Sequence, residues 1–339
     1  MFSLAESVNE SPGLANLIGK ILIKQLFSDT MNIIKRSNTS RRRIAAIGMW
    51  DGVHLGHRFL IGFVRDHAAK RGLTPSVVTF ADHPLKVVAP LRAPSLLTTF
   101  DERMQLLGEA GADDVIVLTF GEKLRRLSAH DFLQRLKTKY GVDTLIVGFN
   151  NRFGRDIHDG LAEYRRIGAE IGMEVIGAPE YKGKASPISS SIIRRYLANG
   201  DIKKANQALD RPFKLTGRVT SGRGIGRRMG FPTANLVPLD PDSAVPRAGV
   251  YAVIAVTPDG VRRPAMLNIG FRPTVETSPA EMTIEVHILD YAGYLYDEVI
   301  TLEFVDFMRN EKRFANTDKL SAQLATDARK VRRLTAKLL

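Results

Sequence analysis

A chain of 339 residues, 44% hydrophobic and 25% charged, is long enough for two ordinary domains with buried cores and too apolar to be disordered throughout. It has no cysteine, which excludes disulfides and thiolate metal sites and fits a reducing compartment. Its net charge of +13 favours anionic partners such as phosphorylated small molecules, nucleic acid or acidic membrane, although a basic solvated surface gives the same number.

No stretch approaches the run of about eighteen apolar residues that a membrane span needs. The segment LANLIGKILIKQLF is interrupted by Lys20 and Lys24 and lacks the charged start and small-residue cleavage site of a signal peptide. It reads as a short amphipathic or unstructured lead. Met31 then opens MNIIKRSNTSRRRIAAIG, so residues 1–43 are taken as an N-terminal extension whose first thirty residues are dispensable.

From Ile44 to about Leu209, apolar runs alternate with helical patterns. IAAIGM predicts a strand, followed by a helix from about Gly56, the strand PSVVTF and a helix around TTFDERMQLLGEAG. DDVIVLTF, SAHDFLQRLKTKY, TLIVGF, GLAEYRRIGAEIG and EVIGAP continue the alternation. Continuous apolar strands separated by helices predict a doubly wound α/β domain with a parallel sheet covered on both faces. Ligands of such domains bind beyond the carboxyl ends of the strands.

After Asp210 the rhythm changes. KLTGRV, GVYAVIAV, PAMLNIG, TIEVHILDY and EVITLEFVDF are short, β-rich and separated by Gly, Pro and Asp. In TIEVHIL, Thr283, Glu285 and His287 alternate with Ile284, Val286 and Ile288, as in a strand with one buried face. A small antiparallel β-barrel over residues 210–339 is predicted. A last helix from about Thr317 carries Leu320, Leu324, Val331, Leu334 and Leu338 on one stripe that can pack against it.

The first candidate site is GMWDGVHLGH, where the first strand of the parallel domain turns into a helix. A helix N-terminus offers unpaired N–H groups and a positive dipole end, and Gly52 and Gly56 let a phosphate approach the backbone. His54 and His57 can donate to phosphate oxygens as charge builds in a phosphoryl-type transition state. The ordinary alternative is a pair of capping or core histidines. In ISSSIIRR, Ser189, Ser190 and Ser191 suit a phosphate or a plain N-cap, and Arg194 can reach phosphate bidentately.

The second is GRVTSGRGIGRRMGFPTANL. It is neither a Walker A loop nor a dinucleotide fingerprint, because its surroundings are β. Gly222, Gly224 and Gly226 with Arg223, Arg227 and Arg228 can wrap an anion in backbone N–H groups. Thr233 and Asn235 are hard oxygen donors that share a face if extended, as Mg²⁺ prefers when phosphates supply its other ligands. A Gly-rich hairpin with polar turn residues reads equally well.

GMWDGVHLGH, VVTFADHP, VGFNNRFG and ISSSIIRRYL, in that order, resemble the N-terminal half of bacterial bifunctional riboflavin kinase/FAD synthetases. GRGIGRRMGFPTANL, AMLNIGFRPTV and IEVHILDY resemble the riboflavin kinase module of the same family, and the resemblance covers about residues 44–339. It implies FMN adenylyl transfer from ATP by residues 44–209 and riboflavin phosphorylation by residues 210–339, with Mg²⁺, with FMN and FAD as product and substrate, and in the cytoplasm. It implies catalytic roles for His54, His57 and Arg194 in the first reaction, and for Glu285 as the base that takes the ribityl hydroxyl proton in the second. Nucleotide or phosphate contacts are implied for Gly48, Asp51, Gly52, Gly56, Asn150, Ser189, Ser190, Ser191, Gly222, Gly224, Gly226, Gly230 and Asn268, and a Mg²⁺ site for Thr233 and Asn235.

His83 and Pro84 are placed near the flavin. Trp50 stands where Phe is usual, Asn151 where an aromatic or His is common, and Asp210 and Asp297 where Gly is frequent. The expected partners are riboflavin, FMN and ATP, without nucleic acid or membrane, for a monomer or weak oligomer. Class I aminoacyl-tRNA synthetases also use HxGH, but no KMSKS-like loop or anticodon-binding segment is present. A flavin- or RNA-binding regulator, or a kinase with an inactive N-terminal half, would keep the fold and lose one or both reactions.

Overall fold

The computed structural model describes residues 31–148, 153–156, 160–183, 185–221, 231–272 and 281–339. They form two compact units. The first takes the described residues through Met49, with Leu60–Val88 and Met104–Glu180; the second takes Trp50–Phe59, Ala89–Arg103 and Tyr181–Leu339.

The chain runs through β1 (Asn32–Ile34), β2 (Arg43–Ile47), α1 (Leu55–Arg71), β3 (Thr74–Phe80), α2 (Leu85–Val88), α3 (Phe100–Glu109), β4 (Asp114–Leu118), α4 (Glu122–Arg125), α5 (Ala129–Tyr140), β5 (Val142–Val147), α6 (Gly160–Ile171) and β6 (Glu174–Gly177). The six strands make one sheet in the order β1-β4-β3-β2-β5-β6, with every neighbouring pair parallel. All five residues of β2 and of β4 are buried, which is why the four that follow Arg43 in β2 and Asp114 in β4 read as unbroken apolar runs. Ser128 starts α5 by accepting from the Asp131 N–H at 3.0 Å, and Phe132, Leu133 and Leu136 pack with Val142 and Leu145. Strand order reverses at β2, so the sheet's topological switch point lies at the carboxyl end of that strand, where Gly48 follows.

The extension expected over residues 1–43 does not lie wholly outside this sheet. Asn32–Ile34 pair with Asp114–Ile116 as an edge strand, and Arg43 is the first residue of β2. Three residues carry no periodicity, so only pairing with β4 makes them a strand. Residues 1–30 lie outside the described residues. A buried ion pair ties these strands: Arg43 Nε donates to Asp114 Oδ2 at 2.8 Å with both side chains 1% exposed. Arg43 Nη1 also donates to the carbonyls of Asn38, Arg41 and Tyr140, and Asn32 donates to Asp114 Oδ1.

The second unit holds α7 (Ser190–Asn199), α8 (Ile202–Leu209) and a closed antiparallel barrel. Its strands β7 (Lys214–Thr220), β8 (Ala234–Pro238), β9 (Gly249–Val256), β10 (Arg262–Arg272), β11 (Glu281–Ile288) and β12 (Val299–Arg309) close in the order β10-β11-β8-β7-β12-β9. Leu215, Val253, Leu267 and Ile284 fill the core, and Leu97, Ile193, Leu197 and Leu209 join the same cluster. Strand β8 begins inside FPTANL, which sequence leaves open between an extended stretch and polar turn residues, and runs on to Pro238; pairing on both sides makes it a strand. Helix α9 (Thr317–Thr335) lays Leu324, Val331 and Leu334 over Ala252 and Met266. Leu338, expected on that stripe, lies past the end of the helix and is 43% exposed.

Replacing Asp114 by Ala strands a buried guanidinium, and is expected to destabilise the protein by about 3–5 kcal/mol. Urea unfolding followed by circular dichroism measures it; a loss below about 1 kcal/mol would show that the carbonyl bonds to Arg43 suffice on their own.

Candidate functional site

The chain between β2 and α1 is a tight, strained turn. Trp50, Gly52 and Val53 have φ of 57°, 82° and 37°. Left-handed backbone is open to glycine but costly for a β-branched residue such as Val53, which is fully buried here. A side chain at Gly52 would also meet Leu97 Cδ1 at 2.9 Å. The turn delivers His54 to the start of α1, where its Nδ1 accepts from the His57 N–H at 3.3 Å. His54 therefore caps the helix and keeps its proton on Nε2, which remains a donor. The two imidazoles stack with centroids 3.7 Å apart, and Trp50 meets His57 edge-on at 5.2 Å. His57 Nδ1 is sealed from solvent without a hydrogen-bond partner among the described residues.

Asp51 holds this turn in place. It is 3% exposed, and its Oδ1 accepts from the backbone N–H groups of Leu97 at 2.8 Å and Thr98 at 3.3 Å. Its Oδ2 takes Arg194 Nη1 at 2.6 Å, and its carbonyl accepts from Ser190 Oγ at 2.8 Å. Burial raises the Asp51 pKa while Arg194 and the two amides oppose the rise; a guanidinium and two N–H donors are the surroundings of a carboxylate. Both Asp51 carboxylate oxygens are thus paired within the chain.

Several other candidates are engaged in the same way. The Gly52 N–H donates to Thr98 Oγ1 at 3.1 Å, the Gly48 N–H to the Val78 carbonyl at 3.0 Å, and Arg194 also to the Ser95 carbonyl. Ser189 caps α7 by accepting from the Ile192 N–H, whereas Ser191 is exposed on the first turn and Gly56 lies in the first turn of α1. Thr98, buried Arg103 and Arg211 were not singled out from sequence, because each lies far along the chain from HLGH. Arg211 bears on His54: burial first, then the Arg211 charge, lowers the His54 pKa to about 4. Burial and His54 pull His57 well below its ordinary value. At neutral pH both rings are uncharged donors beside a helix N-terminus.

In the first unit, a cavity of about 760 Å³ opens past the carboxyl ends of the central strands. Gly48, Phe80, His83, Pro84, Phe120 and Phe153 line it, an apolar, aromatic wall suited to a flat ring system. His83 and Pro84 are thus brought to a pocket. Asn150 and Asn151 lie outside the described residues.

On the barrel, register assembles a second constellation. Asn268 on β10 stands opposite Glu285 on β11, Glu285 opposite Asn235 on β8, and Asn235 opposite Thr220 on β7. Their chain neighbours Leu267, Ile269, Ile284, Val286, Leu236 and Val219 are all buried in the core, so the four polar residues form a row on the outer face. Thr233 lies one residue before β8 and, with Pro232 and Ala234, lines a small cavity beside Val219 and Val286. Asn268 Nδ2 donates to Glu311 Oε1 at 3.0 Å. That carboxylate lies so close over Gly270 that a Cβ there would meet Oε1, so glycine admits it. Glu311 was not anticipated, since no strand pattern includes it. Gly222, Gly224, Gly226 and Gly230 lie outside the described residues, as do Arg223, Arg227 and Arg228. Asp210, which ends α8, and Asp297 have φ of 57° and 64°, so left-handed backbone explains why glycine suits both positions.

Comparison with known proteins yields two family matches: residues 36–192 match the FAD synthetase family and residues 209–335 the riboflavin kinase family. The bifunctional riboflavin kinase/FMN adenylyltransferase of Escherichia coli K12 is 36% identical over 285 residues, covering 84% of this chain and 90% of that protein. The protein of the same name from Pseudomonas fluorescens is 36% identical over 294 residues, covering 86% of this chain and 93% of that protein. A crystal structure described as a macrolide-efflux protein from Streptococcus pneumoniae superposes with a TM-score of 0.79 at 28% identity, covering 89% of this chain and 99% of that one. Among the described residues no helix is long and apolar enough to cross a membrane.

The depressed histidines set an acid limit. His54 titrates at about 4 when folded and near its ordinary 6.5 when unfolded, so the unfolded chain takes up the proton first as pH falls. Stability present above pH 6.5 is lost progressively down to about pH 4, and the His54 share is about 3 kcal/mol. His54→Gln is expected to narrow the gap between unfolding free energies measured at pH 7 and pH 4.5. An unchanged gap would show that other groups carry the acid sensitivity.

Proposed function

This chain belongs to the bifunctional riboflavin kinase/FMN adenylyltransferase family, and on that premise we propose how its residues divide the two reactions. It is an ATP-dependent transferase that phosphorylates riboflavin to FMN and adenylylates FMN to FAD, releasing pyrophosphate. Residues 44–209 are assigned to adenylyl transfer and residues 210–339 to phosphorylation. The enzyme is assigned to the cytoplasm, as a monomer or weak oligomer that works without membrane or nucleic acid; a chain free of cysteine suits that compartment.

In adenylyl transfer an FMN phosphate oxygen attacks the α-phosphorus of ATP and the bond to pyrophosphate breaks. The flavin ring occupies the aromatic cavity of Phe80, His83, Pro84 and Phe120. Charge growing on pyrophosphate is met by the first-turn N–H groups of α1, by His54 Nε2–H and by His57. Neutral rings suit this role: they donate without having to be kept protonated in a buried, cationic setting. Asp51 presents Arg194 and the start of α7, with Ser191, to the phosphates; Asn150 contributes from the nucleotide side.

In the kinase reaction the ribityl 5′-hydroxyl attacks the γ-phosphorus and Glu285 takes its proton. The half-buried carboxylate accepts that proton late in a loose transition state. Mg²⁺ comes with ATP. Thr233 and Asn235 fit it by the chemistry of their donors: two neutral oxygens two residues apart, with Asn235 paired opposite the carboxylate of Glu285, suit an ion that draws its other ligands from phosphates and water. Bound there, the ion would neutralise charge on the bridging phosphate oxygens. Asn268 and the Gly-rich segment of Gly222, Gly224, Gly226 and Gly230 are assigned to the nucleotide. The observation that carries this assignment is the transverse row Asn268–Glu285–Asn235, drawn from three separate motifs.

Purified protein given FMN, ATP and Mg²⁺ is expected to yield FAD and pyrophosphate, and given riboflavin to yield FMN and then FAD, each resolved by chromatography. His57→Ala is expected to lower FAD formation by at least about a hundredfold and leave FMN formation intact. Glu285→Gln is expected to abolish riboflavin phosphorylation while FAD still forms from supplied FMN. Either substitution removing both activities from a folded protein would overturn the division of residues.

A further inference from the structure

His287 lies two residues beyond Glu285 on the outer face of β11 and takes no part in the chemistry above. Its Nδ1 stands 2.7 Å from the Pro232 carbonyl oxygen. A carbonyl only accepts, so the ring carries its proton on Nδ1 and donates. Burial lowers the His287 pKa, consistent with a neutral ring in that tautomer. Phe231 meets the imidazole edge-on at 5.3 Å and packs on the cluster that holds Ala252, Met266 and Val331 beneath α9.

Register explains why a side chain is used here. The β8–β11 ladder pairs Asn235 with Glu285 and Ala234 with Val286, and β8 begins at Ala234. One further step would pair Thr233 with His287. The strand has ended there, and the His287 side chain holds the Pro232 carbonyl instead. Two anchors, the Phe231 ring and the His287 bond, thus fix the chain immediately before Thr233.

We propose that His287 is a positioning residue for the nucleotide in riboflavin phosphorylation: its bond to the Pro232 carbonyl fixes the Pro232–Thr233 peptide, so that the Thr233 hydroxyl is already in place when the Mg²⁺–triphosphate end of ATP arrives. The proposal rests on the assignment of Thr233 and Asn235 to Mg-ATP. Preorganisation of this kind lowers the cost of binding rather than the barrier to transfer, so its signature is in KM for ATP and not in kcat.

The test compares wild type with His287→Ala, His287→Asn, His287→Gln and Thr233→Ala, with saturating riboflavin, varied Mg-ATP and FMN as readout. FAD formation from FMN on the same preparations checks that each chain is folded. An Asn side chain places an amide N–H on Cγ, where Nδ1 stood; Gln places it one bond further out. His287→Ala is expected to raise KM for ATP about three- to tenfold, the loss of one good hydrogen bond, with kcat within about twofold of wild type. His287→Asn is expected to recover most of that loss and His287→Gln little of it. An unmoved KM in His287→Ala, a fall in kcat with KM unmoved, or His287→Asn as impaired as Ala would each overturn the proposal. Should His287→Ala also lose FAD formation, His287→Asn decides by the same criterion. Thr233→Ala separates the underlying assignment: if it leaves KM unmoved, Thr233 is not a nucleotide ligand, whereas if it raises KM and His287→Ala does not, only the role of His287 falls.

Discussion

The buried carboxylate of Asp51 is the constraint on which the HLGH turn, the site proposed for adenylyl transfer, depends. A carboxylate out of water is costly unless every oxygen finds donors, and these come from two segments far along the chain: the Leu97 and Thr98 amides and the Arg194 guanidinium. Satisfying Asp51 therefore brings the 89–103 segment and α7 to the HLGH turn. Ser190 adds a bond to the Asp51 carbonyl, and Leu97 carries the junction into the apolar core. The unfavourable backbone of Trp50 and Val53 persists because this network over-determines the turn.

In the proposed assignment the two sites meet phosphate charge by different means. At HLGH the donors are a helix end and two uncharged imidazoles, crowded by burial and by Arg211 until protonation is disfavoured. Such donors need no reorganisation as charge moves onto the leaving group. On the barrel the polar groups stand in a row across neighbouring strands, about 5 Å apart by the spacing of a sheet. Each is held by the ladder that its core-facing neighbours lock, so an apolar interior sets the spacing of a polar exterior. Thr233 lies one step beyond that ladder, and the His287 side chain bonds the Pro232 carbonyl just before it.

Departures from the family pattern become intelligible at the same level. Asp210 and Asp297 replace glycine where the backbone is left-handed, and Asp is among the few residues that accept this conformation at modest cost. Trp50, where Phe is usual, is buried against His57, so the larger ring fills space beside the stacked imidazoles. For these positions the sequence shows that a residue is unusual, and the backbone angle or the neighbouring ring shows why it is tolerated.

The sequence by itself determined what repeats along the chain or sits within a few residues. Unbroken apolar strands spaced by helices specify a parallel sheet, alternation in TIEVHIL specifies a half-buried strand, and HLGH and PTAN bring their own donors. Local periodicity encodes these because it reflects which face each residue must bury. Tertiary structure alone decided the rest. Asn32–Ile34 is a strand only because β4 is beside it, Asp51 is a tether only because Leu97, Thr98 and Arg194 converge on it, and Arg211 reaches His54 from more than 150 residues away. Glu285, Asn235 and Asn268 stand in one row through strand register, which sequence alternation assigns to a face but not to a partner. Burial and register are properties of pairs of segments, and a single segment read alone does not contain them.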